Sequence, residues 1–410
     1  MKNWKYFNIT DYYYISSGLS KSASEFGEGF PFLSFKDVFG NFFVPKTLKE
    51  LVKTNLKEQE KCSIKNGDIF LTRTSEKVEE LGLSCVALRD YPNATFNGFT
   101  KRLRPKYIEA LDPFFMGFYL RSPKFRADIS VFSSLITRAS LNNDALSRLK
   151  ILAPDYPTQK KIGQILYAYN KLIENNFGRI KILEEIAQRT YEEWFVKFRV
   201  NGEHLPVDEA TGLPVGWKFE SFNNIVEIIS GFPFKSSDYV EDGKFKIVTI
   251  KNVQDGYFVP VTTDSLLAVP AKVKPEQVLK TSDIIVSLTG NVGRICLVYG
   301  EDYLLNQRVA KIIPLNEYSK AYVYFFLRSN NMITSLENLS NGAAQQNLSP
   351  INMGNMKVNI PDKNSIMKFG ELANSIIDLI SKLNLENQKL MQSRDILLPR
   401  LMSGTINVES

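Results

Sequence analysis

The sequence has one histidine, His204, in 410 residues. Most zinc sites and the histidine-dependent nuclease sites need more than one imidazole, so neither is expected. Cysteine is nearly as scarce. Cys62, Cys85 and Cys296 are odd in number and lack metal-ligand spacing, which points to a reducing compartment rather than a disulfide framework. No stretch approaches about 18 consecutive apolar residues, so no membrane span is expected. The opening Met1-Lys2-Asn3-Trp4-Lys5 has no apolar core of a secretory signal. The expectation is a cytoplasmic protein. No G-x-x-x-x-G-K-[ST] run occurs, which argues against a P-loop nucleotide site. The carboxylates form no pair whose spacing demands general acid/base work. No catalytic residue and no metal ligand is assigned, and the chain on its own reads as non-catalytic.

What the sequence does have is a duplication. Ser140-Leu141, Lys150, Pro154-Asp155 and Ile162-Gly163 are answered 207 residues later by Asn347-Leu348, Lys357, Pro361-Asp362 and Phe369-Gly370. Upstream the frame persists with a drifting offset. Trp4-Lys5 answers Trp217-Lys218, Ser17-Gly18 answers Ser230-Gly231, and Phe35-Lys36-Asp37-Val38 answers Ile250-Lys251-Asn252-Val253. Asp68-Ile69-Phe70 answers Asp283-Ile284-Ile285, and Leu120-Arg121-Ser122 answers Leu327-Arg328-Ser329. The period is far longer than any solenoid unit, so this is a tandem domain duplication. At 44% hydrophobic the chain can fill two cores, and its net charge of +7 permits nucleic acid as a partner without demanding it.

In chain order, residues 1–155 read as a mixed, strand-rich domain. Strands are expected over Phe30–Phe35, Ile69–Thr72 and Leu83–Leu88, with a short helix over Phe114–Leu120 after Asp112-Pro113. Residues 156–198 read as a long helix with Thr158 as a plausible N-cap; Asn176 and Gly178 lie in its middle, where they could kink it. Residues 199–216 read as a connector without period, rich in Gly and Pro. A second domain occupies 217–362, a second long helix 363–404, and a tail 405–410. Phe369, Ile376, Leu383, Leu390 and Leu397 recur every seven residues, joined by Leu372 and Leu379. Ile162, Ile165, Tyr169, Leu172, Leu183 and Ile186 are expected on the matching rows of the first helix. Such a repeat is the seam of a helix that pairs with another. The fold class is therefore α+β: two similar domains, each followed by a long helix, with the two helices pairing as an antiparallel coiled coil. About 40 residues at 1.5 Å each make a rod near 60 Å, which suits a spacer.

Two groups of residues fit nucleic acid. Lys101, Arg102, Arg104, Lys106, Arg121, Lys124 and Arg126 face only Glu109 and Asp112 in the same segment. They can neutralise phosphates, or equally form a solvated face. In the second copy Asn306-Gln307-Arg308 and Gly342-Ala343-Ala344-Gln345-Gln346-Asn347 carry the residue types that pair with adenine and guanine edges. Polar Gly-rich loops also cap strands with no ligand at all. Thr137-Arg138-Ala139-Ser140 sits at the equivalent of the second loop. Gly290-Asn291-Val292-Gly293 reads as a tight turn between strands rather than a phosphate cradle. Apolar residues off a single narrow row, among them Tyr169, Ile173, Tyr191, Trp194 and Phe195, together with Ile380, Leu397 and Leu401, are candidates for packing against helices of a partner.

The order domain, Pro, long helix, Gly212-Leu213-Pro214-Val215-Gly216-Trp217, domain, Pro, long helix ends in Arg394-Asp395-Ile396-Leu397-Leu398-Pro399-Arg400-Leu401-Met402-Ser403-Gly404. With Glu193-Trp194-Phe195, Leu305-Asn306-Gln307, the loop Gly342–Leu348 and Lys357-Val358-Asn359-Ile360-Pro361, it resembles the DNA-specificity subunit of type I restriction-modification systems across essentially the whole chain. The family often has Pro-Leu-x-Glu-Gln-x-x-Ile entering each helix; the first copy keeps Gln159 and Ile162 without the Glu, and the second has lost the Gln. The resemblance implies two target-recognition domains, each reading one half of a bipartite double-stranded DNA site, on a fixed helical spacer. It implies two modification subunits that hold S-adenosylmethionine and methylate adenine, and a restriction subunit using ATP and Mg. This chain lacks the Asn-Pro-Pro-aromatic tetrad of amino-methyltransferases and would hold no cofactor itself. On this resemblance the DNA contacts are expected among Lys101, Arg102, Arg104, Arg138, Lys235, Arg294, Asn306, Gln307, Arg308, Gln345 and Gln346. The alternatives are the specificity subunit of a type II enzyme cutting both sides of its site, and a protein-only coiled-coil scaffold.

Overall fold

A computed structural model describes residues 4–75, 80–107, 109–133, 139–340 and 347–408. The chain forms two compact units, Met1–Ile173 with Leu390–Ser410, and Glu174–Lys389. Both unit boundaries fall inside long helices, Tyr156–Tyr191 and Lys363–Met402, so each helix begins in one unit and ends in the other.

The first unit holds a four-stranded antiparallel sheet in the order Tyr13–Ser17, Thr100–Pro105, Ile69–Thr72, Ser84–Val86. A smaller sheet orders Glu50–Val52, Phe26–Leu33 and Thr95–Phe96, and Lys5–Asn8 pairs with Lys150–Ala153. The second unit repeats this plan. Its main sheet runs Val226–Ser230, Val309–Pro314, Ile284–Ser287, Ile295–Leu297. Its second sheet joins Ser265–Leu266, Phe245–Val248, Tyr303–Leu305 and Val278–Leu279, and Lys218–Ser221 pairs with Lys357–Ile360. In both units the inner strand of the smaller sheet has one parallel neighbour, Phe32 against Thr95 and Ile247 against Leu304.

Each core closes on the helix ends it contains. In the first unit Phe115, Phe118, Tyr119 and Leu103 pack with Ile162 and Leu166 from the first long helix and Leu398, Leu401 and Met402 from the second. In the other unit Tyr322, Phe325 and Leu327 pack with Tyr191, Trp194 and Phe195 and with Phe369, Ala373 and Ile377. Phe369 meets Tyr191, Trp194, Phe195 and Phe325 ring to ring at 5.2–6.3 Å. Buried rings of this kind carry much of a core's apolar area.

The helix starts show how the repeated Pro-Asp works. Asp155 Oδ1 accepts from Thr158 N at 2.9 Å, and Asp362 Oδ1 accepts from Ser365 N at 3.1 Å. Asp155, not Thr158, is therefore the cap, because the helix already begins at Tyr156. Gln159 fastens the first helix to its domain: Oε1 accepts from Asp112 N and Nε2 donates to Pro154 O, both at 2.9 Å. The second copy does this with another side chain, Asn374, whose Oδ1 accepts from Ala321 N at 2.9 Å.

Three details differ from the sequence expectation. The first long helix is unbroken through Asn176 and Gly178 and ends in a wider π turn over Glu192–Val196. The connector holds a small hairpin, Arg199–Val200 with Glu203–His204, turned by Asn201 and Gly202 at φ 53° and 88°. Asn-Gly is the pair that such a turn favours. Finally, the rows expected from the sequence are buried only in part: Phe369, Leu383 and Ile162 are buried and Ile376, Leu379, Leu183 and Leu397 are half-buried, while other seven-residue rows are buried more continuously. They are Leu166, Ile173, Ile180, Ala187 and Trp194 in the first helix, and Ile366, Ala373, Ile380 and Asn387 in the second, with Leu401 two turns of the repeat further on. Leu372, Ile165, Leu172 and Ile186 point to solvent.

Candidate nucleic-acid interface

In the second unit, one end of the main sheet gathers four loops. Phe232 N donates to Leu305 O at 2.8 Å and Gln307 N to Phe232 O at 3.1 Å. Leu288 N donates to Arg308 O at 2.9 Å, and Leu348 N to Leu288 O at 2.8 Å. These bonds bring the segments around Phe232, Leu288, Asn306–Arg308 and Asn347 together. The approach is close enough to dictate glycine: a Cβ on Gly231 would lie 2.1 Å from Asn306 O.

The first unit builds the same cluster with the same bonds. Leu19 N donates to Phe96 O at 2.9 Å, Arg73 N to Phe99 O at 2.8 Å, and Leu141 N to Arg73 O at 2.8 Å. Here a Cβ on Gly18 would lie 2.3 Å from Phe96 O. Asn97-Gly98-Phe99 stands where the second unit has Asn306-Gln307-Arg308, and Arg73 stands where it has Leu288. The backbone scaffold is shared while the side chains it presents differ. Sequence pattern alone does not single out Phe99 and Arg73, although carrying the repeat back from Asn306 by 209 residues lands on Asn97.

The expected DNA contacts divide sharply by position. Lys235, Gln307 and Arg308 are exposed on the loops of the second cluster, and Arg294 is half-exposed beside them. Asn306 is buried and shapes the loop, its Oδ1 accepting from Arg308 N at 3.2 Å. Arg138, Gln345 and Gln346 lie outside the described residues.

Lys101, Arg102 and Arg104 sit on the central strand of the first unit and are turned to internal partners. Lys101 Nζ donates to Ser17 Oγ at 3.0 Å and Asn143 Oδ1 at 2.9 Å; burial, then the nearby Arg73 charge, pulls its pKa down. Arg102 donates to Ser63 O at 2.7 Å and lies over the Phe96 ring; burial and then Arg104 lower its pKa. Arg104 grips the fully buried Asp68 carboxylate through Nε at 2.8 Å and Nη2 at 2.6 Å. In the second unit the equivalent carboxylate, Asp283, pairs instead with Lys311, which stands at the place of Arg102, at 2.7 Å. These cations brace the sheet. Arg121 does the same at the end of the helix Phe35–Gly40: it donates to the carbonyls of Val38, Phe39 and Asn41, and burial pushes its pKa down to about 10.

The expected partner-packing residues also need correction. Ile173, Tyr191, Trp194, Phe195, Ile380 and Leu401 are buried within this chain, so they are not open to a partner; Tyr169 and Leu397 are half-buried. Aromatic and apolar residues at the helix ends were spent on the domain cores, a demand that a count of helix rows does not reveal. Among the apolar side chains that the helices leave in solvent are Ile165, Leu172, Ile182, Ile186, Leu372 and Ile396. Among the described residues no group of His, Cys, Asp and Glu could hold a metal ion, and no helix is long and apolar enough to cross a membrane.

A duplicated strand-rich domain, a repeated loop cluster and two long helices define a class, and the sequence agrees with it. The chain belongs to the family of the type I restriction modification DNA specificity domain, which matches residues 1–185 and again 214–392. Among individual proteins, it is 25% identical to the type I restriction enzyme HindI specificity subunit of Haemophilus influenzae, over 99% of this chain and all of the relative. It is 23% identical to the MjaIX specificity subunit of Methanocaldococcus jannaschii, over the whole of this chain and 94% of the relative. The crystal structure of a type I restriction-modification S subunit from M. genitalium has the same fold, with a TM-score of 0.61 at 16% identity, covering 97% of this chain and 96% of that one.

Proposed function

We propose that this chain is the sequence-reading, non-catalytic subunit of a type I restriction-modification complex, and that each domain reads one half of a split DNA site. The observation that carries this reading is the loop cluster built twice from equivalent backbone hydrogen bonds but dressed with different side chains. One scaffold with two unlike faces is what reading two unlike half-sites requires. Base edges are recognised by amide and guanidinium groups, and Gln307, Arg308 and Arg294 supply these in the second unit. In the first, Asn97 and the exposed Phe99 ring take the corresponding places.

The two long helices act as an antiparallel pair that sets the distance between the domains. Supporting this, the start of one helix and the end of the other share a core in each unit. Half-sites about one DNA turn apart, roughly 34–36 Å, suit two readers on one face of a duplex. The exposed apolar residues Ile165, Leu172, Ile182, Ile186, Leu372 and Ile396 are the places for two modification subunits to dock. Those subunits bring S-adenosylmethionine and flip and methylate adenine. A restriction subunit brings ATP and Mg for cleavage. This chain supplies the address.

The test is to co-express the chain with its modification subunit and map N6-methyladenine in a genome without other methylases. Two short blocks of bases with a fixed gap are expected. A stable, active complex that methylates a continuous motif, or methylates without sequence preference, would overturn the reading.

A further inference from the structure

Arg294 is held differently from the bracing arginines. It closes the turn after Ile284–Ser287, which passes through Gly290 and Gly293 at φ 75° and 77°. Its backbone is locked to Ser287: Arg294 N donates to Ser287 Oγ at 3.1 Å and Ser287 N to Arg294 O at 3.0 Å. Its guanidinium Nη1 donates to Gln254 Oε1 on the hairpin Val253–Phe258. With the Asn291 carboxamide oxygen turned toward it, Nη1 and Nη2 also donate to Asn291 Oδ1 at 3.1 Å.

Among the described residues, Arg294 has no carboxylate partner. Arg104 has Asp68, and Arg328 has Glu184 at 3.1 Å. Arg294 instead has two neutral amides, so its positive charge is oriented without being neutralised. Among the described residues its side-chain bonds fall on Nη1 and, at the Asn291 oxygen that both share, on Nη2. An oxygen shared by Nη1 and Nη2 takes the hydrogens between them, so among the described residues Nε–H and the second Nη2 hydrogen, two parallel donors, make no bond. A guanine offers the matching pair of acceptors, O6 and N7, in the major groove.

The hairpin that carries Gln254 is itself fixed. Gly256 N donates to Ile295 O at 2.8 Å, and a Cβ on Gly256 would lie 2.4 Å from Arg328 Nη2. Tyr257 leans on Tyr299, with ring centroids 6.5 Å apart. The acceptor that aims Arg294 thus stands on a braced element rather than a loose loop.

We propose that Arg294 reads a guanine of the half-site recognised by the second unit, and that Gln254 and Asn291 are positioning residues that aim it. This rests on the DNA-reading role proposed above. Complexes of the modification subunit with wild-type chain, Arg294→Ala, Gln254→Leu, Gln254→Glu and the Arg294→Ala/Gln254→Leu double variant are compared. The probes are duplexes carrying the wild-type methylation motif or single base changes in it. Arg294→Ala is expected to cut discrimination at one G·C position by roughly 5- to 150-fold and to spare the other half-site. Gln254→Leu should weaken discrimination at the same position, Gln254→Glu, which keeps the acceptor oxygen, should retain it, and the double variant should be no worse than Arg294→Ala. The proposal is overturned if Arg294→Ala leaves every base preference intact and lowers the salt slope by about one ion, the mark of a phosphate anchor. It is equally overturned if Gln254→Leu leaves that position unchanged. A wild-type complex with no split preference would defeat the underlying reading instead, so the two failures are distinguishable.

Discussion

Replacing Arg104 by alanine separates the two jobs open to a cation of the central strand, bracing the sheet or holding a phosphate. The side chain makes two parallel bonds to Asp68, at 2.8 and 2.6 Å, and Nη2 donates to Ser63 O at 2.9 Å. Asp68 is 0% exposed and would keep a bond from Lys65 N at 2.7 Å but lose both guanidinium bonds. Breaking a buried ion pair from one side costs about 3–5 kcal/mol. Arg104 itself reaches solvent, its side chain being 22% exposed, so water can partly refill the gap. The expected loss is about 2–3 kcal/mol in urea unfolding, with no change in the salt slope of DNA binding by the assembled complex. A loss under about 0.5 kcal/mol, together with a slope reduced by about one ion, would refute the argument and return Arg104 to the DNA surface.

Other outcomes follow from the same geometry. Asp155→Ala should cost about 1 kcal/mol by removing the cap of the first long helix. The Thr158 N–H holds the Asp155 pKa below its ordinary value. The cap's contribution is therefore complete above the ordinary carboxylate range and lost as pH falls through the depressed folded value, so the wild-type advantage should vanish in acid; a constant difference across that range would contradict it. Phe369→Ala, at a fully buried ring, should cost about 3–5 kcal/mol in denaturant unfolding, and Leu372→Ala, in solvent, under about 0.5 kcal/mol. Gly231→Ala should push the Asn306 loop aside and weaken recognition of one half-site, and Gly18→Ala the other, as read by methylation of duplexes mutated in either half.

The duplication was fully legible because it rests on residues that pairing and close packing dictate. Ser17-Gly18 and Ser230-Gly231 repeat because a side chain has no room there, and Pro154-Asp155 and Pro361-Asp362 because each aspartate caps a helix. The side-chain roles were less legible. A run such as Lys101, Arg102 and Arg104 looks basic in sequence, yet on an inner strand of the sheet its members bond to partners within the chain, Asn143, Ser63 and Asp68. The helix rows are legible only in part for a related reason. Leucine and isoleucine spaced by seven mark a seam only if the helix has one partner, and here Ala187, Ala373 and Asn387 are buried while Leu372 and Leu172 are exposed. Gln254 could not be linked to Arg294 from sequence, since 40 residues separate the two and only the folded hairpin brings them together.

The most direct test of two independent readers on one chain is an exchange. Residues 217–362 are replaced by the equivalent segment of a relative, and the methylation motif of the assembled complex is mapped. The account predicts that one block of the split motif changes while the other block and the gap stay as they were. A change in both blocks, or in neither, would contradict it.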